Sequence, residues 1–367
     1  MSNYSAERAK ELKTLTHAAL RELPDVCTDF ILAIDSTTQP LTRYAYVADL
    51  KLFFGFLTAE LPKFAGKDIR ALEPSDLARV TSRDIHIYMD YLGLYYKDDT
   101  EFTNAELGKM RKLSSLRSFY KFLYKNGYVD ADPAALVDMS KRHQKPIIRL
   151  EIDEVARMLD IVESGEMMPE HKAKYNLNTN VRDLAILTLF LGTGIRVSEL
   201  VGINISDIDF SINGFLVTRK GGNQAILYFP DEVADVLKNY LRHRMELTPL
   251  PGHEDALFLS LQNKRISVRA VQVMVKKYAS LAAPLKKHLS PHQLRSTFRT
   301  NLYHETGDIY LVADVLSHSD VNTTRRHYAA MSDDRRRMAA TKVRLRDETP
   351  TEKAPEAPAI DGQEDDE

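Results

Sequence analysis

The sequence is poor in cysteine, lacks tryptophan and contains no long apolar run. Its 367 residues include a single cysteine, Cys27, so neither an internal disulfide framework nor a four-cysteine zinc site can form. The longest nearly apolar run, LAILTLFLGTGI at 184–195, is shorter than the roughly 20 residues that a membrane helix needs. No basic start followed by an apolar stretch marks a signal peptide. We therefore expect a cytoplasmic protein with no membrane span.

The net charge of −2 conceals a strong asymmetry. Residues 347–367 contain nine acidic residues and one basic residue, whereas residues 264–346 contain 17 Lys or Arg and six Asp or Glu. The acidic segment is rich in proline, and we predict that it is disordered. The basic segment favours a polyanionic partner, although solvated helix faces would give the same composition.

Apolar spacing predicts a mainly α fold with a small β hairpin or sheet. Apolar stripes predict helices at YAYVADLKLFFGFL (44–57) and from Leu107 to Leu123, within an N-terminal region that is helical throughout. Thr81, followed three residues later by Asp84, predicts a capping box at the start of a third helix. Further along, the pattern predicts helices at 151–164 and 181–191. After them, FLVTR and AILYF joined through KGGN (215–229) predict a hairpin. The segment ALFLS (256–260) has the composition of a further strand.

The helical pattern of the N-terminal region ends at SKRHQKPIIRL (140–150), which contains a proline among basic residues. We therefore predict four parts of the chain: a helical domain at 1–140, a linker at 141–149, a second domain at 150–346 and a disordered acidic tail at 347–367. Four basic residues of the first domain either face DNA or belong to a solvated helix face. They are Arg111, Lys112, Arg117 and Lys121.

Six residues able to carry chemistry lie in four short segments: TGIRVSEL (193–200), the KGGN turn, SPHQLRSTF (290–298) and LSHSDVNTTRRHY (316–328). They are Arg196, which opens a predicted helix; Lys220, on the hairpin turn; His292 and Arg295, whose three-residue spacing places them on one helix face; and His318 and Tyr328.

This set of side chains suits cleavage of a phosphodiester bond without a metal or another cofactor. Two guanidiniums can hold the non-bridging oxygens of one phosphate and stabilise the charge of the transition state. A tyrosine oxygen can attack phosphorus once a histidine helps to remove its proton, because the phenol has a pKa of about 10. A mobile lysine can protonate the departing sugar hydroxyl. The sequence therefore indicates DNA strand cleavage through a phosphotyrosine bond.

The four segments resemble the successive signature segments of the tyrosine recombinase (phage integrase) family, and they occur in the family's order. The similarity covers about 150–340, and TRYAYVADLKLFFGFL together with LRSFYKFLYKNGYVDADPA resembles the family's helical core-binding domain. The resemblance is greatest to the Xer-type recombinases. It implies a SAM-like core-binding domain and a catalytic domain that form a C-shaped clamp around DNA.

The resemblance also implies a role for each matching residue. Arg196 and Arg295 would clamp the scissile phosphate, and Lys220 would protonate the leaving 5′-hydroxyl. Glu199, one turn beyond Arg196, would brace the arginines.

At the nucleophile, His292 would assist proton transfer and His318 would hydrogen-bond a phosphate oxygen. Tyr328 would form a 3′-phosphotyrosyl intermediate. Two positions depart from the family pattern: Ser317 stands where glycine is usual, and Ser296 stands where histidine is frequent. Neither position carries the chemistry.

A metal site is the alternative for the histidines. His288 and His292 are four residues apart, but Pro291 lies between them and no carboxylate or cysteine joins them.

The implied function is site-specific recombination of duplex DNA at an inverted-repeat target, by a homotetramer on two DNA sites. Two alternatives are a type IB topoisomerase and a catalytically idle DNA-binding protein on the same fold. The sequence does not distinguish chromosome-dimer resolution from mobile-element integration. It also leaves open the target sequence, the directionality and any accessory protein.

Overall fold

The computed structural model describes residues 3–97, 99–139, 148–165, 179–219, 222–286 and 289–316. The chain divides into a large compact unit that ends at Asn301 and a smaller unit that begins at Leu302. Two separate hydrophobic cores lie within the large unit, one formed by residues between Leu20 and Val137 and the other by residues between Leu150 and Leu294. We refer to them as the first core and the second core. The predicted domain limits stay predictions.

Six α-helices surround the first core. They are α1 (Asn3–Leu20), α2 (Asp25–Ala33), α3 (Pro40–Glu60), α4 (Pro74–Leu77), α5 (Ser82–Tyr91) and α6 (Glu106–Lys125), with short 3₁₀ turns at Pro62–Phe64 and Ile69–Ala71. The apolar stripes predicted for α3 and α6 are confirmed, since Val47, Leu50 and Leu116 are almost fully buried. Leu107, by contrast, is 63% exposed in the first turn of α6.

The predicted capping box at the start of α5 is confirmed. The Thr81 hydroxyl accepts a hydrogen bond from the Asp84 N–H at 3.3 Å, and the Asp84 carboxylate accepts one from the Thr81 N–H at 2.7 Å. These bonds satisfy donors that the first helical turn would otherwise leave unpaired.

The sequence pattern predicted a helical N-terminal region, but the structure also contains a short β hairpin there. Strands β1 (Tyr95–Lys97) and β2 (Thr100–Phe102) form an antiparallel hairpin between α5 and α6. Tyr95 stacks on Phe102 across the pair with ring centroids 5.4 Å apart. Asp99, in the turn, has a φ of +57°. The segment lacks an Asn-Gly or Asp-Gly pair, so it carries no strong hairpin signal.

Among the described residues, helices and one sheet surround the second core. The elements are α7 (Ile152–Ser164), α8 (Asn180–Thr193), α9 (Val197–Leu200), β3 (Ile208–Asp209), β4 (Gly214–Thr218), β5 (Gln224–Tyr228), α10 (Asp231–Glu246), α11 (Val268–Ala282) and α12 (Pro291–Thr306), with a 3₁₀ turn at Ile205–Asp207. The helices predicted over 151–164 and 181–191 correspond to α7 and α8 and are confirmed.

The predicted hairpin is confirmed as β4 and β5 of a three-stranded antiparallel sheet in the order β3-β4-β5. Gly214 pairs with Tyr228 at one end and Thr218 with Gln224 at the other. Gly222, in the connecting turn, has a φ of +85°, which glycine adopts without steric cost.

The strand predicted at ALFLS (256–260) is wrong. Ala256 and Leu259 each form only an isolated bridge, to Asn204 and Arg265. The side chains of Leu257 and Phe258 are nevertheless buried in the second core. The run is apolar because it is buried, and burial alone does not distinguish a strand from an irregular segment.

The described part of the C-terminal unit holds the last turn of α12 and one further helix, α13 (Ile309–Val315). The Asp308 carboxylate caps α13 by accepting hydrogen bonds from Tyr310 N–H at 2.8 Å and Leu311 N–H at 3.1 Å. None of the helices within the described ranges is long and apolar enough to cross a membrane.

Candidate active site

The first arginine of the predicted set lies at a junction of two helices. α8 ends at Thr193 and is capped by Gly194, whose φ of +62° favours glycine. Arg196 is then the N-cap residue of α9, as the sequence predicted. The Glu199 carboxylate accepts hydrogen bonds from the backbone N–H of Arg196 at 3.0 Å and from its Nη1 at 2.8 Å. Glu199 is buried, so it fixes both the backbone and the side chain of Arg196.

The second arginine reaches the same junction from α12. Arg295 is only 9% exposed, and its Nη1 donates a hydrogen bond to the carbonyl oxygen of Gly194, two residues before Arg196. The fold therefore brings together two arginines that are far apart in the sequence.

Charge is crowded around Arg295. Burial is the largest cause that lowers its pKa, to about 10, and the positive charge of Arg196 is the next largest. Glu199 raises this pKa, whereas Arg219 and Arg299 lower it further. We call Arg196, Arg219, Arg295 and Arg299 the arginine cluster. A pKa of about 10 leaves Arg295 charged at neutral pH, and such a concentration of positive charge suits a phosphate.

His292 lies on the same face of α12 as Arg295, as its three-residue spacing predicted. Its side chain is partly exposed, which leaves it accessible to a substrate. Desolvation is the largest cause that lowers the pKa of His292, followed by the positive charges of Arg299 and Arg295. The ring is therefore mainly neutral at pH 7, the state in which it can accept a proton.

Three of the six predicted site residues, Lys220, His318 and Tyr328, lie outside the described residues, and so does His288 of the alternative metal pair. Arg219, which directly precedes Lys220, is half-buried, and its charge acts on Arg295. The roles of all six residues stay predictions.

Sequence reasoning missed Arg219 and Arg299. Arg219 lay beside Lys220 in the hairpin turn, and Arg299 repeats the helical spacing of His292 and Arg295 at the next turn of α12. That spacing was the available signal, since residues three and four apart share a helix face.

Three of the four basic residues that the sequence offered for DNA contact bind the protein itself. Arg111 pairs with Asp49 through both of its terminal nitrogens, and Lys112 donates to Asn104 at 2.9 Å. Arg117 donates to the backbone carbonyl of Ala134 at 3.1 Å and to that of Val137. Lys121, the fourth, is exposed.

The sequence profile of the phage integrase family matches residues 149–335, which is more than half of the chain and includes the arginine cluster. The chain belongs to the phage integrase family.

Curated relatives carry the name tyrosine recombinase XerC. That of Caldanaerobacter subterraneus subsp. tengcongensis is 32% identical over 348 residues, which cover 92% of this chain and 91% of the relative. That of Chlorobaculum tepidum is 31% identical over 330 residues, covering 87% and 94%. These findings support tyrosine-type site-specific DNA recombination as the activity of this chain, and neither an idle DNA-binding protein nor a type IB topoisomerase is favoured.

Solved structures share the fold at low identity. The Tn1549 transposon integrase in complex with circular intermediate DNA has a TM-score of 0.61 at 17% identity, over 86% of this chain and 98% of the other. A lambda integrase dimer bound to a COC′ core site has a TM-score of 0.56 at 16% identity, over 82% and 96%. The predicted fold class, mainly α with a small sheet, is confirmed.

Proposed function

We propose that this recombinase cleaves and rejoins duplex DNA at the arginine cluster, with Arg196 and Arg295 holding the scissile phosphate. The observation that carries the proposal is the junction at Gly194 and Arg196. There Glu199 holds one guanidinium and the Gly194 carbonyl holds the other. Because both side chains are fixed before substrate arrives, little reorganisation is needed when charge develops on the phosphate.

The reaction is a transesterification. The Tyr328 oxygen forms a bond to phosphorus while the bond from phosphorus to the 5′-oxygen breaks, which leaves a 3′-phosphotyrosyl intermediate. His292 accepts the phenol proton, Lys220 gives a proton to the departing 5′-oxygen, and His318 hydrogen-bonds a phosphate oxygen. The phosphotyrosine bond conserves the energy for religation, so exchange requires no cofactor.

The partner is duplex DNA with an inverted-repeat target, enclosed by a C-shaped clamp of the N-terminal helices and the catalytic domain. Four protomers act on two DNA sites, since exchange of two duplexes requires four cleavages. We place the reaction in the cytoplasm, as the sequence predicts. Resolution of chromosome dimers and integration of a mobile element are both compatible with this chemistry.

Covalent adducts test the proposal. The full-length protein is isolated from cells under denaturing conditions, and the DNA that remains attached is sequenced to obtain the target. Nicked duplexes of that sequence should then trap an adduct with the wild-type protein, and the DNA-bearing peptide should contain Tyr328. Tyr328→Phe should bind the same duplex with unchanged affinity and form no adduct, because phosphate contacts lie elsewhere. An adduct formed by this variant at wild-type yield would remove Tyr328 as the nucleophile.

A further inference from the structure

α12 carries a third basic side chain on the face that presents His292 and Arg295. Arg299 follows Arg295 by four residues and His292 by seven, so the three side chains line one face of the helix. Burial increases along this face from His292 to Arg299. His292 is exposed, whereas Arg295 and Arg299 are 9% and 5% exposed.

The Arg299 guanidinium lies against the first turns of α12. Its Nη2 is 3.5 Å from the Ser296 hydroxyl oxygen, and that hydroxyl donates a hydrogen bond to the backbone carbonyl of His292 at 3.1 Å. The Arg299 guanidinium is thus held on the side of α12 toward His292, at a depth where solvent screens its charge less than at the surface.

Charged groups from three elements surround this face within the described residues. α12 supplies Arg295 and Arg299, the start of α9 supplies Arg196 and Glu199, and the end of β4 supplies Arg219. The charges that act on the His292 ring are those of Arg299 and Arg295, and both disfavour its protonation.

We propose that Arg299 is a positioning residue for strand cleavage, which keeps the His292 imidazole uncharged so that it can accept the proton of the attacking tyrosine. The inference rests on the proposed function for its catalytic consequence, but the effect of the Arg299 charge on His292 can be tested in the protein without DNA.

Arg295 alone cannot keep the His292 imidazole uncharged during cleavage. In the proposed reaction it binds the scissile phosphate, whose negative charge opposes the effect of the Arg295 guanidinium on the nearby imidazole. The same phosphate favours the imidazolium form of His292, which cannot accept a proton. Arg299 lies one turn further along and more deeply buried, so it supplies a positive charge that the phosphate does not neutralise. A second guanidinium therefore keeps the base functional when substrate is bound.

The first test is the pH titration of His292 in the DNA-free protein, followed by NMR after selective labelling of the histidine rings. His292→Gln identifies the signal by its loss. Arg299→Met and Arg299→Gln remove the charge, and Arg299→Gln retains a hydrogen-bond donor near Ser296 in case the apolar variant does not fold. Arg299→Lys keeps the charge. We expect the pKa of His292 to rise in Met and Gln variants and to stay low in the Lys variant. An unchanged titration in a folded uncharged variant would overturn the proposal.

The second test is the rate of single-turnover cleavage of the nicked target duplex between pH 5.5 and 9 (about the range in which histidine titrates). Each unit by which the His292 pKa rises reduces the neutral fraction about tenfold on the acidic side. The uncharged Arg299 variants should therefore lose cleavage at acidic pH and recover it at alkaline pH, while Arg299→Lys follows the wild type. A loss that is equal at every pH would assign Arg299 a structural role only. If the wild-type protein forms no adduct, the proposed function fails, and the titration still decides whether Arg299 controls His292.

Discussion

Glu199 holds Arg196 at two points, through the backbone N–H at 3.0 Å and through Nη1 at 2.8 Å. The first bond fixes where α9 begins, and the second fixes where the guanidinium points. Because one carboxylate does both, the helix cap and the proposed phosphate clamp are a single structural unit. The negative charge of Glu199 also raises the pKa of Arg295, so Glu199 helps to retain the Arg295 guanidinium in its charged form.

Replacing the carboxylate by an amide tests this dual role. Glu199→Gln keeps the shape of the side chain but removes its charge, so the bond to the Arg196 guanidinium loses its charge-assisted part, about 2 kcal/mol. We expect cleavage of the nicked duplex to fall roughly 30-fold. The thermal unfolding temperature should change little, because the amide oxygen can still accept from the backbone N–H.

A matched control is Asp84→Asn at the start of α5. Asp84 occupies the same third position of a capping box and also pairs with a lysine, Lys63, but it belongs to the first core. This variant should likewise change the unfolding temperature little, and it should retain cleavage. Equal losses of cleavage in the two variants would show that Glu199 acts on stability alone.

Asp49 and Arg111 join α3 to α6 as a bidentate ion pair, with Nη2 2.6 Å from Oδ1. The carboxylate is buried and also accepts from the Ser115 hydroxyl at 3.2 Å. Arg111→Met leaves this buried charge without its main partner, which should lower the free energy of unfolding by about 3 kcal/mol. Lys121→Met, an exposed position on the same helix, should leave it unchanged. Urea unfolding measures both.

The loss of unfolding free energy in Arg111→Met should depend on pH. Burial raises the pKa of Asp49 against the opposing charges of Arg111 and Lys112, so the folded protein retains this proton to a higher pH than the unfolded chain. Stability therefore decreases as the pH rises through the folded-state pKa. Removal of Arg111 raises that pKa further, so the deficit of Arg111→Met should shrink as the pH falls. A loss of DNA affinity without any loss of stability would instead make Arg111 a DNA contact.

Local patterns predicted the elements that depend on neighbours in the sequence. The stripe of α6, the capping box at Thr81 and the hairpin of β4 and β5 were all predictable, because side chains a few residues apart decide them. The N-cap position of Arg196 and the helical spacing of His292 and Arg295 were predictable for the same reason.

Contacts between distant residues were not predictable. Nothing local to Arg111 indicates Asp49, which lies 62 positions earlier, and nothing local to Arg117 indicates the carbonyl of Val137. Sequence reasoning could therefore offer these arginines for DNA, although the fold uses them internally. The strand prediction at 256–260 was wrong for a related reason, since a buried apolar run fits either a strand or an irregular segment.

Substitution of Lys220 tests whether this residue, and not Arg295, acts as the general acid in the proposed reaction. If it protonates the departing 5′-oxygen, Lys220→Ala should cleave an ordinary duplex very slowly, because an alkoxide is a poor leaving group. A duplex in which sulfur replaces that bridging oxygen should restore the rate, since a thiolate, whose conjugate acid has a pKa of about 8.5 in cysteine, leaves without a proton. Arg295→Ala is the matched control. Its defect lies in stabilising the phosphate, which the sulfur does not repair. Equal rescue of the two variants would contradict the assignment of Lys220 as the acid.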